Sequence, residues 1–282
     1  MIKAGINHLT PLIVKLFNLI LISGKYPSSW AVGRIVPIHK KGDRSLPSNY
    51  RGITISSCLG KMFNAILNSR LYKFINENNL MRNEQIGFKK FHRTTDHLFI
   101  LRNLISLYRK KRKALYLVFI DFQKAFDQVW HTGLFYKLAT LGISLNFYSV
   151  VKDMYKKINL TVQCGYSISP LFSSSIGVRQ GDNLSPTLFN IFVNDLPAHF
   201  DNCQPAKFGD LEISSLLYAD DVVLMSESES GAQCALNKLK TWSDTWGLGI
   251  NISKTKVMCT LDVKVNLNFN DTPLEQVTSL NI

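Results

Sequence analysis

Apolar positions along the chain repeat with two periods. Met62, Ile66, Leu67, Leu71, Phe74 and Ile75 recur at three- and four-residue intervals, which predicts an amphipathic helix over 59–79. Leu12, Leu16, Leu19 and Ile20 predict another over 4–22, followed by a loop over 24–30 marked by Gly24 and Pro27. Helices are also expected from Thr95 or Asp96, either able to cap, to about 108, and over 131–141 and 145–157. Another opens at Asn183 or Ser185 with Pro186 in its first turn and runs to about 195, and one spans 230–246 and ends at Gly247. Between these lie short apolar strands: one from Gly33 into a Lys40-Lys41-Gly42-Asp43 turn, its return over 49–55, one over 114–121, a pair near 160–165 and 172–178, and a turn and strand over 250–258. Helices packed on one face of an antiparallel sheet fit this order, an α+β fold. No repeat or low-complexity tract interrupts it.

The stretch of greatest chemical interest is Leu216-Leu217-Tyr218-Ala219-Asp220-Asp221-Val222-Val223-Leu224-Met225, two adjacent carboxylates between apolar runs. Asp is a common turn residue, so the pair alone also fits a solvated hairpin tip. Burying two such charges, however, costs several kcal/mol per ion unless a cation meets them. A third carboxylate, Asp121, ends the apolar run Val118-Phe119-Ile120 about a hundred residues upstream. Three strand-end carboxylates in one place make an all-oxygen site suited to Mg²⁺ or Mn²⁺. Paired ions in such a site stabilise the attacking and leaving oxygens of an in-line phosphoryl displacement.

Charge sharpens this picture. Residues 1–120 hold 21 Lys and Arg against 4 Asp and Glu, whereas residues 121–282 hold 12 against 16, within a net charge of +13. A basic half beside an acidic half suits a polyanion gripped by one and metal held by the other. Lys40, Lys41 and Arg51, on one expected hairpin, could hold a triphosphate, Arg by bidentate contacts and Lys as a point charge. In 85–93, Phe88 and Phe91 alternate with Lys89, Lys90, His92 and Arg93, a composition suited to stacking on bases while neutralising phosphates. Cys58, Cys164, Cys203, Cys234 and Cys259 form no CxxC pair, so neither a zinc site nor a disulfide framework is indicated, and reduced intracellular thiols are expected. No stretch reaches the ~18 apolar residues of a membrane span, and the apolar 11–22 segment is broken by Lys15 and Asn18 and lacks a signal-peptide cleavage pattern.

Seven blocks in order, RIVPIHKKGD, NYRGITI, QIGFKKFHRTTD, FIDFQKAFDQV, GVRQGDNLSP, YADD and GLGINISKTK, resemble the reverse transcriptase domain of non-long-terminal-repeat retrotransposons, LINE-like elements of the jockey type, related to group II intron reverse transcriptases. The resemblance spans about 24–258 and implies a right-hand polymerase with fingers and an antiparallel palm sheet backed by helices. It implies an N-terminal helical extension over 1–30, fingers over 31–113 and palm over 114–282, with an insertion at about 143–175. By that resemblance Asp121, Asp220 and Asp221, with the backbone carbonyl of Phe122, bind two Mg²⁺ ions, Mn²⁺ being able to substitute. Lys254 lies near the pyrophosphate leaving group and is expected to act as general acid. Lys40, Lys41, Arg51, Gln180 and Gly181 contact the nucleotide, and the ring of Phe126 lies beneath its sugar, where a ribose 2′-hydroxyl would clash. Lys89, Lys90, Arg93 and Tyr218 contact nucleic acid.

The implied activity is RNA-directed DNA polymerisation, with RNA template, DNA primer and dNTPs as partners and no membrane. The implied setting is intracellular, nuclear or cytoplasmic, and not secreted. Gly52 and His39 stand where the family commonly has Pro, which affects loop stiffness. The family's primer-gripping hairpin would begin at about 277–282, where the chain stops, and no endonuclease segment precedes Met1. The reading is therefore a fragment or decayed copy of a longer element protein, with thumb and endonuclease missing. The alternatives are a catalytically inactive nucleic-acid-binding remnant and a maturase-like RNA-binding protein.

Overall fold

The computed structural model describes residues 5–279, and the chain divides into two compact units. One holds the chain up to Asn78 together with Trp130–Leu188; the other holds Asn79–Val129 and the chain from Phe189 onward. The helices are α1 (Ile6–Ser23), α2 (Ser28–Ala31), α3 (Cys58–Glu77), α4 (Thr94–Lys110), α5 (His131–Thr140), α6 (Leu145–Lys156), α7 (Ser185–Val193) and α8 (Glu229–Trp246). The strands are β1 (Val32–His39), β2 (Tyr50–Ile55), β3 (Tyr116–Asp121), β4 (Asn159–Cys164), β5 (Ser167–Ile168), β6 (Phe172–Ser173), β7 (Ala206–Phe208), β8 (Leu211–Ile213), β9 (Ser215–Tyr218), β10 (Asp221–Ser226), β11 (Lys256–Cys259), β12 (Asn268–Phe269), β13 (Thr272–Pro273) and β14 (Glu275–Gln276). Residues 79–113 thus group with the later part of the chain, and 130–188 with the earlier part.

In the first unit the sheet runs β2-β1-β4-β5, with β6 also on β4. β1 and β2 pair antiparallel, and β1 and β4 pair parallel. The expected second strand over 172–178 is cut to Phe172–Ser173; beyond it the Ser174 hydroxyl donates to the Ile176 carbonyl at 2.7 Å, and Ile176 makes an isolated antiparallel bridge with Trp130. The core-facing stripe of α3 is Phe63, Leu67, Leu71 and Ile75, while Ile66 is exposed, so the buried face is rotated by about one position from the expected one. α1 likewise buries Phe17 and Ile20 and leaves Leu12, Leu16 and Leu19 exposed. Aromatic packing decides this: Phe17 meets Phe63 at 5.1 Å edge-on, and Tyr26 meets Trp30 at 5.8 Å. The 24–30 segment is consequently not a plain loop, since it contains buried Tyr26 and Trp30 and the start of α2.

Buried polar groups tie this unit together. Arg179, 6% exposed, donates to the carbonyls of Trp30 and Ala31 at the end of α2. Asp182, 7% exposed, accepts from Asn64 Nδ2 at 2.7 Å and from Leu184 N at 3.1 Å, so it caps the approach to α7. Asp182→Ala strands two buried donors and should cost about 3 kcal/mol of stability, read as a lower urea midpoint at unchanged m-value.

In the second unit the sheet runs β14-β11-β3-β10-β9, antiparallel except that β14 joins β11 in parallel. Central β3 is buried on both faces, Leu117 and Val118 each at 0% exposure. Helical cover on one face alone is therefore corrected: an uninterrupted apolar run such as Leu117-Val118-Phe119-Ile120 needs burial on both sides. α4 contributes Leu101, Leu104 and Tyr108 to a core with Leu117, Leu216, Met225 and Met258, and α8 packs on β3 and β10. At the start of α4 the capping role of Asp96 is reversed from the expected one: Arg93 occupies the N-cap, and Asp96, three residues on, accepts from Arg93 N at 2.9 Å.

On α4, burial pushes His97 down to about 4, opposed by Asp96 and reinforced by His92 and Lys89. A base held below its unfolded value of about 6.5 withdraws stability as pH falls from 6.5 toward 4. His97→Leu should flatten that part of the pH–stability curve, measured by urea unfolding at pH 7 and pH 5. All five cysteines are free thiols, with Cys203 Sγ 3.1 Å from Cys234 Sγ. Among the described residues no helix is long and apolar enough to cross a membrane.

Candidate active site

The antiparallel register of β3 and β10 sets Asp121 directly opposite Asp221, with Ile120 opposite Val222 behind them. β10 and β9 pair as a hairpin in which Asp221 faces Tyr218, leaving Ala219 and Asp220 as the two turn residues. Ala219 has φ +56°, a left-handed conformation that L residues seldom adopt. A two-residue hairpin with positive φ at its first turn position is the kind that ordinarily takes Gly there. At the end of β3, the Asp121 carbonyl accepts from Asn251 N at 2.7 Å, and Gln123 N donates to Gly249 O at 2.8 Å, so Phe122 is bridged to Ile250. The Phe122 ring lies inside against Trp242 at 6.3 Å, which places its backbone beside Asp121.

The side chain of Asp221 reaches solvent, yet its carboxyl is held above the usual carboxylate range, first by partial burial and then by the charges of Asp220 and Asp121. Lys254 Nζ lies 3.5 Å from Asp121 Oδ2. Among the described residues no three His, Cys, Asp or Glu side chains are gathered tightly enough to enclose a metal ion, and the Asp121 carboxylate is turned to Lys254. The donor chemistry nevertheless suits a hard divalent cation. The charges of Asp220 and Asp121 both disfavour the Asp221 carboxylate, and the Lys254 ammonium lies within ion-pair distance of Asp121.

Phe126 follows Asp121 in a short 3₁₀ turn (Ala125–Asp127). Its ring stacks on Phe189 with centroids 4.4 Å apart at 17°, and Phe88 meets it edge-on at 6.0 Å. The Lys89 ammonium donates to the Arg82 carbonyl at 2.8 Å, and burial lowers its pKa. Lys90 and Arg93 are exposed, and Phe91 between them is fully exposed. The sequence reading missed Gln85, which is 0% exposed and bonded to both backbone groups of Ala219. The only signal was an amide within the apolar, Gly-containing block Gln85-Ile86-Gly87-Phe88.

The first unit holds the other candidates. Lys40 and Lys41 sit on an exposed turn after β1, pinned by Lys40 N donating to Asn49 O at 2.8 Å and by the His39 ring nitrogen 3.0 Å from Gly42 O. Arg51, exposed on β2, is opposite Ile38. Gln180 and Gly181 lie along the same strand: Gln180 O accepts from Thr54 N at 2.8 Å, and Gly181, at φ +101°, leaves only 3.1 Å between Thr54 O and the place a Cβ would occupy. The positive φ favours Gly there, and the Thr54 carbonyl leaves a Cβ little room.

Residues 38–280 match the family model described as reverse transcriptase (RNA-dependent DNA polymerase). The chain is 32% identical over 257 residues to a probable RNA-directed DNA polymerase from transposon BS of Drosophila melanogaster, covering 86% of this chain and 27% of that protein. It is 30% identical over 249 residues to the RNA-directed DNA polymerase from mobile element jockey of the same species, covering 85% and 26%. The chain thus spans about a quarter of the length of these curated relatives. Among solved structures, apo telomerase from Candida tropicalis superposes with a TM-score of 0.63 at 15% identity, over 86% of this chain and 52% of that one, a likeness of fold.

Proposed function

Because the chain belongs to the reverse transcriptase (RNA-dependent DNA polymerase) family, we propose that it is the catalytic core of an RNA-directed DNA polymerase, adding dNTPs to a DNA primer 3′-hydroxyl along an RNA template. The observation that carries this reading is the register of β3 on β10, with Asp121 opposite Asp221 and Asp220 one residue before it at the hairpin tip. These are the residues that would hold Mg²⁺. When bound, two such ions lower the pKa of the attacking hydroxyl and offset charge on the phosphate and leaving oxygens.

The rest falls to the chain's own groups. Lys40, Lys41 and Arg51 supply cationic donors for a triphosphate from one basic hairpin. The Gln180-Gly181 backbone, flush against β2, offers a surface that a nucleotide can approach closely. Phe126, wedged between Phe189 and Phe88, presents a fixed ring edge to the sugar. Lys90, Arg93 and Tyr218 are assigned to nucleic acid, Phe91 adding an exposed ring for stacking. In this reading the β3-centred sheet is palm and the β1–β2 hairpin belongs to the fingers. The remainder of a longer element-encoded protein supplies what a quarter-length chain does not, and the setting is intracellular, where RNA and dNTPs occur together.

Lys254, at Asp121, is placed to offer a proton or a positive charge to the departing pyrophosphate. Lys254→Leu should slow single-turnover incorporation about a hundredfold or more with little change in dNTP affinity; an unchanged rate would remove the assignment. The reading as a whole is tested by primer extension on an RNA template with Mg²⁺. Incorporation that depends on Asp220 supports it, whereas duplex binding with no incorporation supports a nucleic-acid-binding protein without catalysis.

A further inference from the structure

The turn that carries Asp220 and Asp221 begins with a residue in the wrong conformation for its type. Ala219 is at φ +56° and 6% exposed, so its N–H and C=O need partners inside the protein. Both are met by one side chain from 134 residues away: Ala219 N donates to Gln85 Oε1 at 2.9 Å, and Gln85 Nε2 donates to Ala219 O at 3.0 Å. The same Oε1 accepts from Gly87 N at 2.8 Å, which locks the amide's orientation. On the edge of β9, Leu217 N donates to Glu84 O at 2.8 Å and Ile86 N donates to Leu217 O at 3.0 Å, so 84–86 run alongside the strand as a short parallel bridge. Gly87 then lies so close that a Cβ on it would sit 2.2 Å from Ala219 N. Asn190 holds the loop from its other side, donating to Gly87 O at 2.6 Å.

We propose that Gln85 is a positioning residue for the polymerase site: its amide grips both backbone groups of Ala219, fixes the left-handed turn, and so sets where the carboxylates of Asp220 and Asp221 stand relative to Asp121. A primary amide suits this task, because it offers a donor and an acceptor side by side on one rigid plane without charge. A carboxylate would lose the donor and add a fourth negative group beside three others. The inference rests on the reading of Asp121, Asp220 and Asp221 as the divalent-cation site.

The test uses the full chain and Mn²⁺ as the probe, followed by the loss of the free Mn²⁺ resonance on titration. Gln85→Ala should weaken Mn²⁺ binding about tenfold or more, as loss of a group that orients metal ligands commonly does. It should also speed deuterium exchange in the peptide spanning 216–222. Adding Ala219→Gly to Gln85→Ala should recover most of the Mn²⁺ affinity, because Gly holds positive φ unaided; a role in general packing would not be rescued this way. In incorporation assays the loss should fall on the maximal rate and on the Mg²⁺ requirement, with the KM for dNTP little changed. If Gln85→Ala does not fold, Gln85→Glu, which keeps the acceptor and loses the donor, should still weaken Mn²⁺ binding. Unaltered Mn²⁺ affinity in a folded Gln85 variant would overturn the assignment. Should the unsubstituted chain bind Mn²⁺ but incorporate nothing, the polymerase reading fails on its own, and the Mn²⁺ titration still decides the role of Gln85.

Discussion

Asp220→Asn should reduce Mg²⁺-dependent dNTP incorporation by about a thousandfold, roughly 4 kcal/mol at 1.4 kcal/mol per tenfold, and Asp121→Asn should do the same. Each change keeps side-chain size and removes one negative charge from a site whose proposed task is to hold cations against a polyphosphate. The two variants should not add when combined, because either alone already disables the shared site. Primer–template affinity should fall little, since it rests on basic and aromatic residues elsewhere. Asp221→Asn carries a second expectation of opposite sign. The Asp221 carboxylate is disfavoured by partial burial and by Asp220 and Asp121, so neutralising it should raise the melting temperature of the metal-free protein while abolishing incorporation. Stability and activity moving in opposite directions in one variant is the signature of a site built for an ion.

Phe126→Ala should relax sugar selection, raising the efficiency of rNTP relative to dNTP use by about a hundredfold, within the range expected of discrimination by shape. The effect follows from how the ring is held. Stacked on Phe189 at 4.4 Å and met edge-on by Phe88 at 6.0 Å, it is braced by two rings. Phe189 is fully buried, so shortening it to Leu should loosen the same ring and give a smaller shift in the same direction. Steady-state competition between dCTP and CTP on one template reads both variants. A selection ratio unmoved by Phe126→Ala would leave Phe126 an ordinary core aromatic.

Local pattern carried some of this structure and not the rest, for physical reasons. The hairpin at Ala219-Asp220 was legible because two apolar runs flank a polar dipeptide, and the α+β order because each element has its own periodicity. The rotation of α1 and α3 was not legible: several faces of an apolar-rich helix are possible, and the choice fell to Phe17, Tyr26, Trp30 and Phe63 packing together. Nor was the interleaving of the two compact units, since periodicity says nothing about which distant segments share a core. Nor was the hydrogen bond from the Lys89 ammonium to the Arg82 carbonyl, which composition does not encode. Gln85 was invisible as a site residue, because its partner is 134 residues away and the need for it arises only from the φ of Ala219.

The central claim is that Asp121, Asp220 and Asp221 share divalent cations. The most direct measurement is a crystal of this chain soaked in Mn²⁺ and recorded near the manganese absorption edge. Shared binding predicts anomalous peaks between the Asp121 carboxylate and those of Asp220 and Asp221, with Lys254 displaced from Asp121. A saturated crystal with no peak there, and Lys254 still on Asp121, would contradict it.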